Sequence, residues 1–306
     1  MNNLKLSIII PTLGREKYLL DTVTDLTKQS LEKSEWECLI VYQDELNKKL
    51  FDQFIYNGFN IRSFFCNEKN ANLARNIGIK NASNEIILLL DDDIRIEMRD
   101  FLANHLLNYN GKKYSGVCGQ ILTPPNQVPY DDLHPKANDK RFGWFYFKPQ
   151  YTKDFFSRTG GSGNLSFYKD KAMEIGGFDS NFPGGAFREE GDFCFRYTDN
   201  FGLFKYDPNC SIIHIGAPSG GARHIKDLEL NHTFGEWYFL LTGIKHKTIF
   251  KSEIPFYLFS IIKNRVLNKK VRRNPFLFFK YLVINLKAFY KAYTDSKNPK
   301  LLNYEN

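Results

Sequence analysis

Apolar positions along this chain fall into two patterns. The first is a short unbroken run. Leu6-Ser7-Ile8-Ile9-Ile10 precedes Pro11, Cys38-Leu39-Ile40-Val41-Tyr42 forms a second run, and Ile86-Ile87-Leu88-Leu89-Leu90 a third. Such runs lack polar alternation, so they predict strands covered on both faces, as in a parallel sheet. The second pattern has helical spacing. Tyr18, Leu19, Val23 and Leu26 recur in that way after the first run. Ala71, Leu73, Ala74, Ile77 and Gly78 give a small-residue helix before the third. With a shorter strand over 61–66, the order is strand, helix, strand, which predicts a parallel sheet with helices on its faces.

Further strands are expected over 117–122, 165–168, 205–206 and 211–215, with a helix opening at Glu189. Residues 126–156 carry Pro, Asp, Lys and aromatics without a period, so an irregular excursion is expected there. Its aromatics Trp144, Phe145, Tyr146 and Phe147 suit either ordinary packing or stacking on a sugar. After Arg223 the pattern changes to aromatics separated by lysine-rich spacers, with a basic run over 269–273 and a second aromatic segment over 276–293. Two or three amphipathic helices are predicted. The expected division is an α/β unit over 1–223 and a helical region over 224–306. Basic amphipathic helices with aromatics suit an anionic membrane surface. The same pattern suits packing on the α/β unit or on a second subunit.

Composition narrows the field. The 306 residues include 42% hydrophobic positions, enough for a substantial core, and 28 Phe with 17 Tyr. The formal net charge of +8 favours an anionic partner. No nucleic-acid motif accompanies that charge, so a nucleic-acid binder is not expected. Five cysteines are dispersed without a Cys-x-x-Cys pair, which predicts reduced thiols and a cytoplasmic setting. The polar first residues show no signal peptide, and no apolar run approaches the ~20 residues of a membrane span.

Chemistry concentrates after the third apolar run. Asp91, Asp92 and Asp93 follow Leu90 directly. In open α/β sheets ligands bind beyond the carboxyl ends of strands. Three adjacent carboxylates repel unless a cation compensates, and hard oxygen ligands suit Mg²⁺ or Mn²⁺ together with substrate phosphates. The alternative is a solvated turn with one aspartate capping a helix. His214 ends another strand and could ligate the same cation through a neutral imidazole. Glu189, Glu190 and Asp192 open a helix, where acidic residues also suit the helix dipole.

Several of these segments, in this order, resemble family 2 glycosyltransferases of the GT-A fold, over roughly residues 6–223. The segments are Ser7-Ile8-Ile9-Ile10-Pro11-Thr12, Asn72-Leu73-Ala74-Arg75-Asn76-Ile77-Gly78, Leu90-Asp91-Asp92-Asp93, Gly176-Gly177-Phe178-Asp179 and the run from Glu189 to Arg196. The resemblance implies a Rossmann-like, mainly parallel sheet with helices on both faces, plus the C-terminal amphipathic helices. It implies that Pro11, Thr12, Arg15, Asp44, Arg75, Asp91, Asp92 and Arg223 bind a nucleotide sugar. Thr12 and Asp44 would lie against the base, Asp91 near the ribose, and Arg75 near the base or diphosphate. Arg75 could also be a helix-surface arginine paired to one of the aspartates, and both readings could hold at once. Asp93, with His214, would hold Mn²⁺ or Mg²⁺. Glu190 would be the catalytic base, with Glu189 and Asp192 on the acceptor side. The family often has an acidic pair and Gly-Ser after the second strand. This chain has Gln43-Asp44-Glu45-Leu46, so the base stays open, with uracil the commonest.

The implied reaction is inverting, metal-dependent transfer of a sugar from a nucleoside diphosphate sugar, most often a UDP-sugar, to a hydroxyl of a saccharide or lipid-linked acceptor. Cell-surface polysaccharide or glycolipid assembly at the inner face of the membrane would be its setting. Two rivals are a nucleotidyltransferase acting on sugar phosphates and a non-catalytic nucleotide-sugar binding protein. The first would carry a glycine-rich phosphate loop after the first strand, where Pro11-Thr12-Leu13-Gly14-Arg15 has one glycine.

Overall fold

The structure, a computed structural model, describes residues 4–111, 114–123, 129–185, 187–221 and 227–302. In its first half, β1 (Leu6–Thr12), β2 (Trp36–Tyr42), β3 (Ile61–Phe65) and β4 (Ile86–Leu90) alternate with α1 (Glu16–Leu26), α2 (Asp52–Tyr56) and α3 (Ala71–Asn81). The four strands run parallel in the spatial order β3-β2-β1-β4. β5 (Ile94–Arg95), α4 (Phe101–Leu107), β6 (Gly116–Leu122), β7 (Phe155–Ser157), β8 (Asn164–Tyr168), α5 (Lys169–Glu174), α6 (Glu189–Phe201) and β9 (Phe204–His214) follow. The sheet continues β4-β8-β6-β9-β5, with β8 antiparallel to both neighbours and β7 pairing with β9.

Burial explains why the strands are continuously apolar. Successive side chains alternate between faces. Ile8, Ile10, Leu88 and Leu90 join Leu19, Val23 and Leu26 of α1 in one core. Ile9, Leu39, Val41, Ile87 and Leu89 join Ala74 and Ile79 of α3 and Phe193 and Tyr197 of α6 in the other. Helix α3 lies so close to the sheet that a Cβ on Gly78 would fall 2.4 Å from Ile9 Cγ2. The predicted strands over 205–206 and 211–215 are one strand, β9. Its register against β6 shifts between Gly119, opposite Asp207, and Gln120, opposite Ser211, and this bulge absorbs the turn-like Pro208-Asn209. All five cysteines are free and buried, as reduced thiols would be.

His105 pins α4 to β8. Its Nδ1 lies 3.0 Å from Ser166 Oγ and its Nε2 3.0 Å from Asn164 Oδ1, while the Asn164 amide donates to the carbonyls of Gln120 and Cys210. Burial pulls the imidazole from its ordinary 6.5 down to about 4. The unfolded chain therefore takes up a proton near pH 6.5 that the folded protein refuses until about pH 4. Stability from this group is full above pH 6.5 and is lost as pH falls through that window, reaching about 3 kcal/mol. Urea unfolding at pH 7 and pH 4.5 should show the loss, and His105→Gln should flatten it.

Among the described residues the C-terminal region holds four α-helices, a π-turn and a 3₁₀ turn (Pro275–Leu277), more than the two or three helices predicted. The helices are α7 (Leu228–Lys245), α8 (Ile254–Ile261), α9 (Lys269–Arg273) and α10 (Phe278–Asp295), and the π-turn is Ile262–Val266. Helix α7 lies between α6 and α10. Phe234, Tyr238, Phe239 and Leu240 of α7 share a core with Phe195, Phe182 and Trp144. Trp144 packs against Phe195, Phe239 and Tyr257, which is the packing alternative for this aromatic run. The outward side of α10 is unlike α7: Phe279, Val283, Leu286, Tyr290 and Tyr293 are exposed, while Tyr281, Asn285, Ala288 and Ala292 are buried. Among the described residues no helix is long and apolar enough to cross a membrane.

Candidate active site

The site grows out of the pairing of β1 with β4. Ile9 stands opposite Leu89. Carried forward, the same offset puts Thr12 beside Asp92, and Thr12 Oγ1 donates to Asp92 Oδ2 at 2.7 Å. Arg15 reaches back from the start of α1 to Asp92 Oδ1 at 2.9 Å and to Asp93 Oδ2 at 3.2 Å. Its Nε donates to the carbonyl of Ser219 at 3.0 Å, which ties the loop after β9 to the loop after β1. Asp92 is thereby turned onto protein. Burial pushes its carboxyl up to about 6, against the opposing pull of Arg15 and Thr12.

Asp91, Asp93 and His214 converge from the other side. One ligand atom from each lies within 4.8 Å of the others. Asp93 Oδ2 accepts from the Ala217 N–H at 2.8 Å. His214 Nε2 lies 3.2 Å from Asp93 Oδ1 and 4.0 Å from Asp91 Oδ2. That contact lacks the alignment of a hydrogen bond, so Asp93 Oδ1 is buried without a hydrogen-bond partner among the described residues. Burial opposes ionisation of Asp93. The His214 contact, the Ala217 N–H and Arg15 together outweigh it and hold the carboxyl down to about 2. Asp93 first, and the burial-opposed pull of Asp91 beside it, raise the pKa of His214. A buried, ionised oxygen with no hydrogen bond, in contact with an imidazole and near a second carboxylate, fits a divalent cation. Gly163 lets the chain pass this cluster, since a Cβ there would fall 2.4 Å from Asp91 Oδ2.

Arg75 is not a surface residue paired to an aspartate. It is buried, and it donates to Asn72 Oδ1 at 2.7 Å, Ser162 Oγ at 2.9 Å and Glu189 Oε1 at 3.0 Å. Its guanidinium lies over the Phe178 ring at 5.3 Å. Burial raises the pKa of Glu189 despite this partner, with Glu190 adding to the rise. A cavity of about 190 Å³ is lined by Pro11, Arg15, Arg75, Asp91, Asp92 and Glu189, along with Gln43. Glu190, the next residue, lines a different cavity of about 490 Å³ together with Arg188 and Arg265.

Other sequence expectations fall elsewhere. Asp192 does not reach either cavity: it is buried, 2.8 Å from Arg196 Nη2, and accepts from Thr242 Oγ1. Asp44 lies beside Gly14, while its neighbour Gln43 lines the smaller cavity. Arg223 lies outside the described residues. Sequence reasoning missed Asn72 and Ser162, which orient Arg75, and Gly163. The run Gly160-Gly161-Ser162-Gly163 carried the signal, because glycines crowded before a strand mark close backbone approach.

A parallel half-sheet whose strand ends gather carboxylates, an imidazole and a buried arginine defines a transferase of the GT-A class. Solved structures agree on the fold. The mannosyltransferase PcManGT of Pyrobaculum calidifontis, in complex with GDP-Man and Mn²⁺, superposes with a TM-score of 0.60 at 11% identity, over 96% of this chain and 87% of that one. Residues 1–349 of TarS from Staphylococcus aureus, in complex with UDP-GlcNAc, give 0.59 at 13% identity, over 96% and 92%. The family model for glycosyl transferase family 2 matches residues 7–176, and the chain belongs to that family. In sequence it is 30% identical over 126 residues to the poly(ribitol-phosphate) beta-N-acetylglucosaminyltransferase TarS of Staphylococcus aureus, a match spanning 38% of this chain and 22% of that protein.

Proposed function

We propose that this protein transfers a sugar from a nucleoside diphosphate sugar to an acceptor hydroxyl with inversion at the anomeric carbon. The observation that carries this reading is that the consecutive residues Glu189 and Glu190 line two different cavities. The smaller, with Asp91, Arg75 and Glu189, receives the donor. The larger, with Glu190, receives the acceptor. Asp91, Asp93 and His214 would hold Mn²⁺ or Mg²⁺, which would offset charge on the departing diphosphate. Arg75 is fixed by Asn72, Ser162 and Glu189, so its remaining donors meet the donor without reorganisation. An acceptor hydroxyl is a poor nucleophile until its proton is taken, and the Glu190 carboxylate takes it as the oxygen bonds to the anomeric carbon. The bond from that carbon to the diphosphate oxygen breaks in the same displacement. Neighbouring folds with UDP-GlcNAc and GDP-Man support a nucleotide-sugar donor, and a UDP-sugar is the first choice. The test is a panel of nucleotide sugars with and without Mn²⁺, with nucleoside diphosphate release as the readout. Pyrophosphate release instead would identify a nucleotidyltransferase, and binding without turnover a non-catalytic protein.

We further propose that the C-terminal region rests on an anionic membrane face, peripheral and cytoplasmic, as an enzyme of polysaccharide or glycolipid assembly would. The outward stripe of α10 is apolar, and Phe276 just before it is 93% exposed. Lys280, Lys287 and Lys291 lie on the same helix, and Lys269, Lys270, Arg272 and Arg273 on α9 precede it. Apolar insertion combined with basic residues is the chemistry of interfacial helices. Vesicles containing anionic lipid should co-sediment with the protein, and neutral vesicles should not. Replacing Phe276, Phe279 and Leu286 together by Ser should abolish co-sedimentation, and its persistence would remove the proposal.

A further inference from the structure

The larger cavity contains two arginines whose backbone settings are both unusual. Arg188, just before α6, sits at φ +72°, a left-handed conformation that non-glycine side chains seldom adopt. Arg265 lies in the π-turn Ile262–Val266, and such turns gather at functional sites. The two converge on Glu236 of α7: Arg188 Nε donates to Oε2 at 3.1 Å and Arg265 Nη2 to Oε1 at 3.2 Å. Aromatic faces hold both guanidiniums, with Arg188 over Trp144 at 5.2 Å and Arg265 over Phe187 at 4.4 Å. Much of their donor capacity is unspent. Among the described residues, Arg188 donates only through Nε, to Glu236 and to the Tyr257 hydroxyl, and Arg265 only through Nη2. Arg265 Nε is buried with no partner. Two carboxylates, Glu236 and Glu190, line the same cavity; Glu236 pairs with both arginines, and Glu190 makes no ion pair among the described residues.

We propose that Arg188 and Arg265 form an anion subsite for the acceptor, which carries a phosphate group close to the hydroxyl that attacks. Guanidiniums stay charged at any working pH and present forks that match oxyanions. Two forks from separate elements suit a tetrahedral phosphate, which offers more acceptor oxygens than a carboxylate. This rests on the acceptor side of the transfer reading above, and the test separates the two. Calorimetry on the full chain in EDTA would compare a polyol phosphate with the unphosphorylated polyol, and then the same phosphate ester on a detergent-solubilised lipid. At least one phosphorylated ligand should bind about tenfold or more tightly than the neutral polyol, as a lost charge-assisted contact implies. Arg265→Gln should remove that advantage and Arg265→Lys should retain part of it. In transfer assays, Arg265→Gln should raise KM about tenfold for the phosphorylated acceptor and less than about twofold for the neutral one. Inorganic phosphate should compete with the acceptor and not with the donor. Equal binding of phosphorylated and neutral ligands, or equal KM changes for both, overturns the subsite. Phosphate-selective binding with no nucleoside diphosphate release from any donor leaves the subsite standing and overturns the transfer reading.

Discussion

Asp93→Asn is expected to lower Mn²⁺-dependent turnover about a thousandfold, the scale of losing several kcal/mol of charge stabilisation at a leaving group. The reason lies in its two oxygens. Oδ2 is engaged by the Ala217 N–H and Arg15, and an amide oxygen could still accept from Ala217. Oδ1 is buried, without a hydrogen bond and 3.2 Å from His214 Nε2, so an amide NH₂ there would present hydrogens where a cation needs a lone pair. Mn²⁺ affinity, measured by calorimetry, should fall in step with turnover, while the thermal midpoint shifts by only a few degrees. Affinity of the wild-type protein should also weaken at acid pH, because the raised pKa of His214 makes a proton the competitor for its imidazole. Turnover of the variant within tenfold of wild type would mean that Asp91, Asp93 and His214 do not hold the ion.

Glu190→Gln should reduce kcat between about a hundredfold and about ten-thousandfold, the usual range for a positioned general base. Donor KM should stay within about twofold, since Glu190 lines the larger cavity and the donor cavity has Glu189 instead. The amide keeps the size of the side chain and removes only its capacity to take a proton. Glu189→Gln is the informative contrast. It removes the negative charge that offsets Arg75 at 3.0 Å and leaves at most a neutral hydrogen bond to the amide oxygen beside those to Asn72 and Ser162, so donor KM should rise. If Glu190→Gln turns over like wild type while Glu189→Gln loses kcat, the base is the other glutamate.

Much of the carboxylate cluster was legible in the sequence because its signals are local. Five apolar residues running into three aspartates specify a buried strand and an acidic end, and the β1–β4 register then brings Thr12 to Asp92. The separate fates of the three carboxylates were not legible. Alternation along the chain turns Asp92 to Arg15 and Thr12, and Asp91 and Asp93 to His214, but only the paired loops after β1 and β9 decide what each one meets. The family resemblance of the Glu189–Arg196 segment placed Asp192 on the acceptor side. One helical turn carries it inward to Arg196. The arginines of the larger cavity left no sequence signal, because Arg188 and Arg265 lie far apart in the chain and neither a left-handed residue nor a π-turn has a sequence marker here. The tail was half legible. Its helices were expected, but amphipathic spacing does not say which face turns inward, and α10 buries Ala288 and Ala292 while leaving Leu286 and Tyr290 outside.

Glu189 and Glu190 are consecutive residues at the start of one helix, where neighbours point about 100° apart. The first turn of α6 therefore works as a partition, with one carboxylate assigned to each chamber by rotation alone. Inserting a single residue between Glu190 and Gly191 would turn the pair back by that angle, putting Glu190 where Glu189 stands and the inserted residue where Glu190 stands. An insertion within the first turn of α6 should accordingly be far less tolerated than one ahead of Arg188.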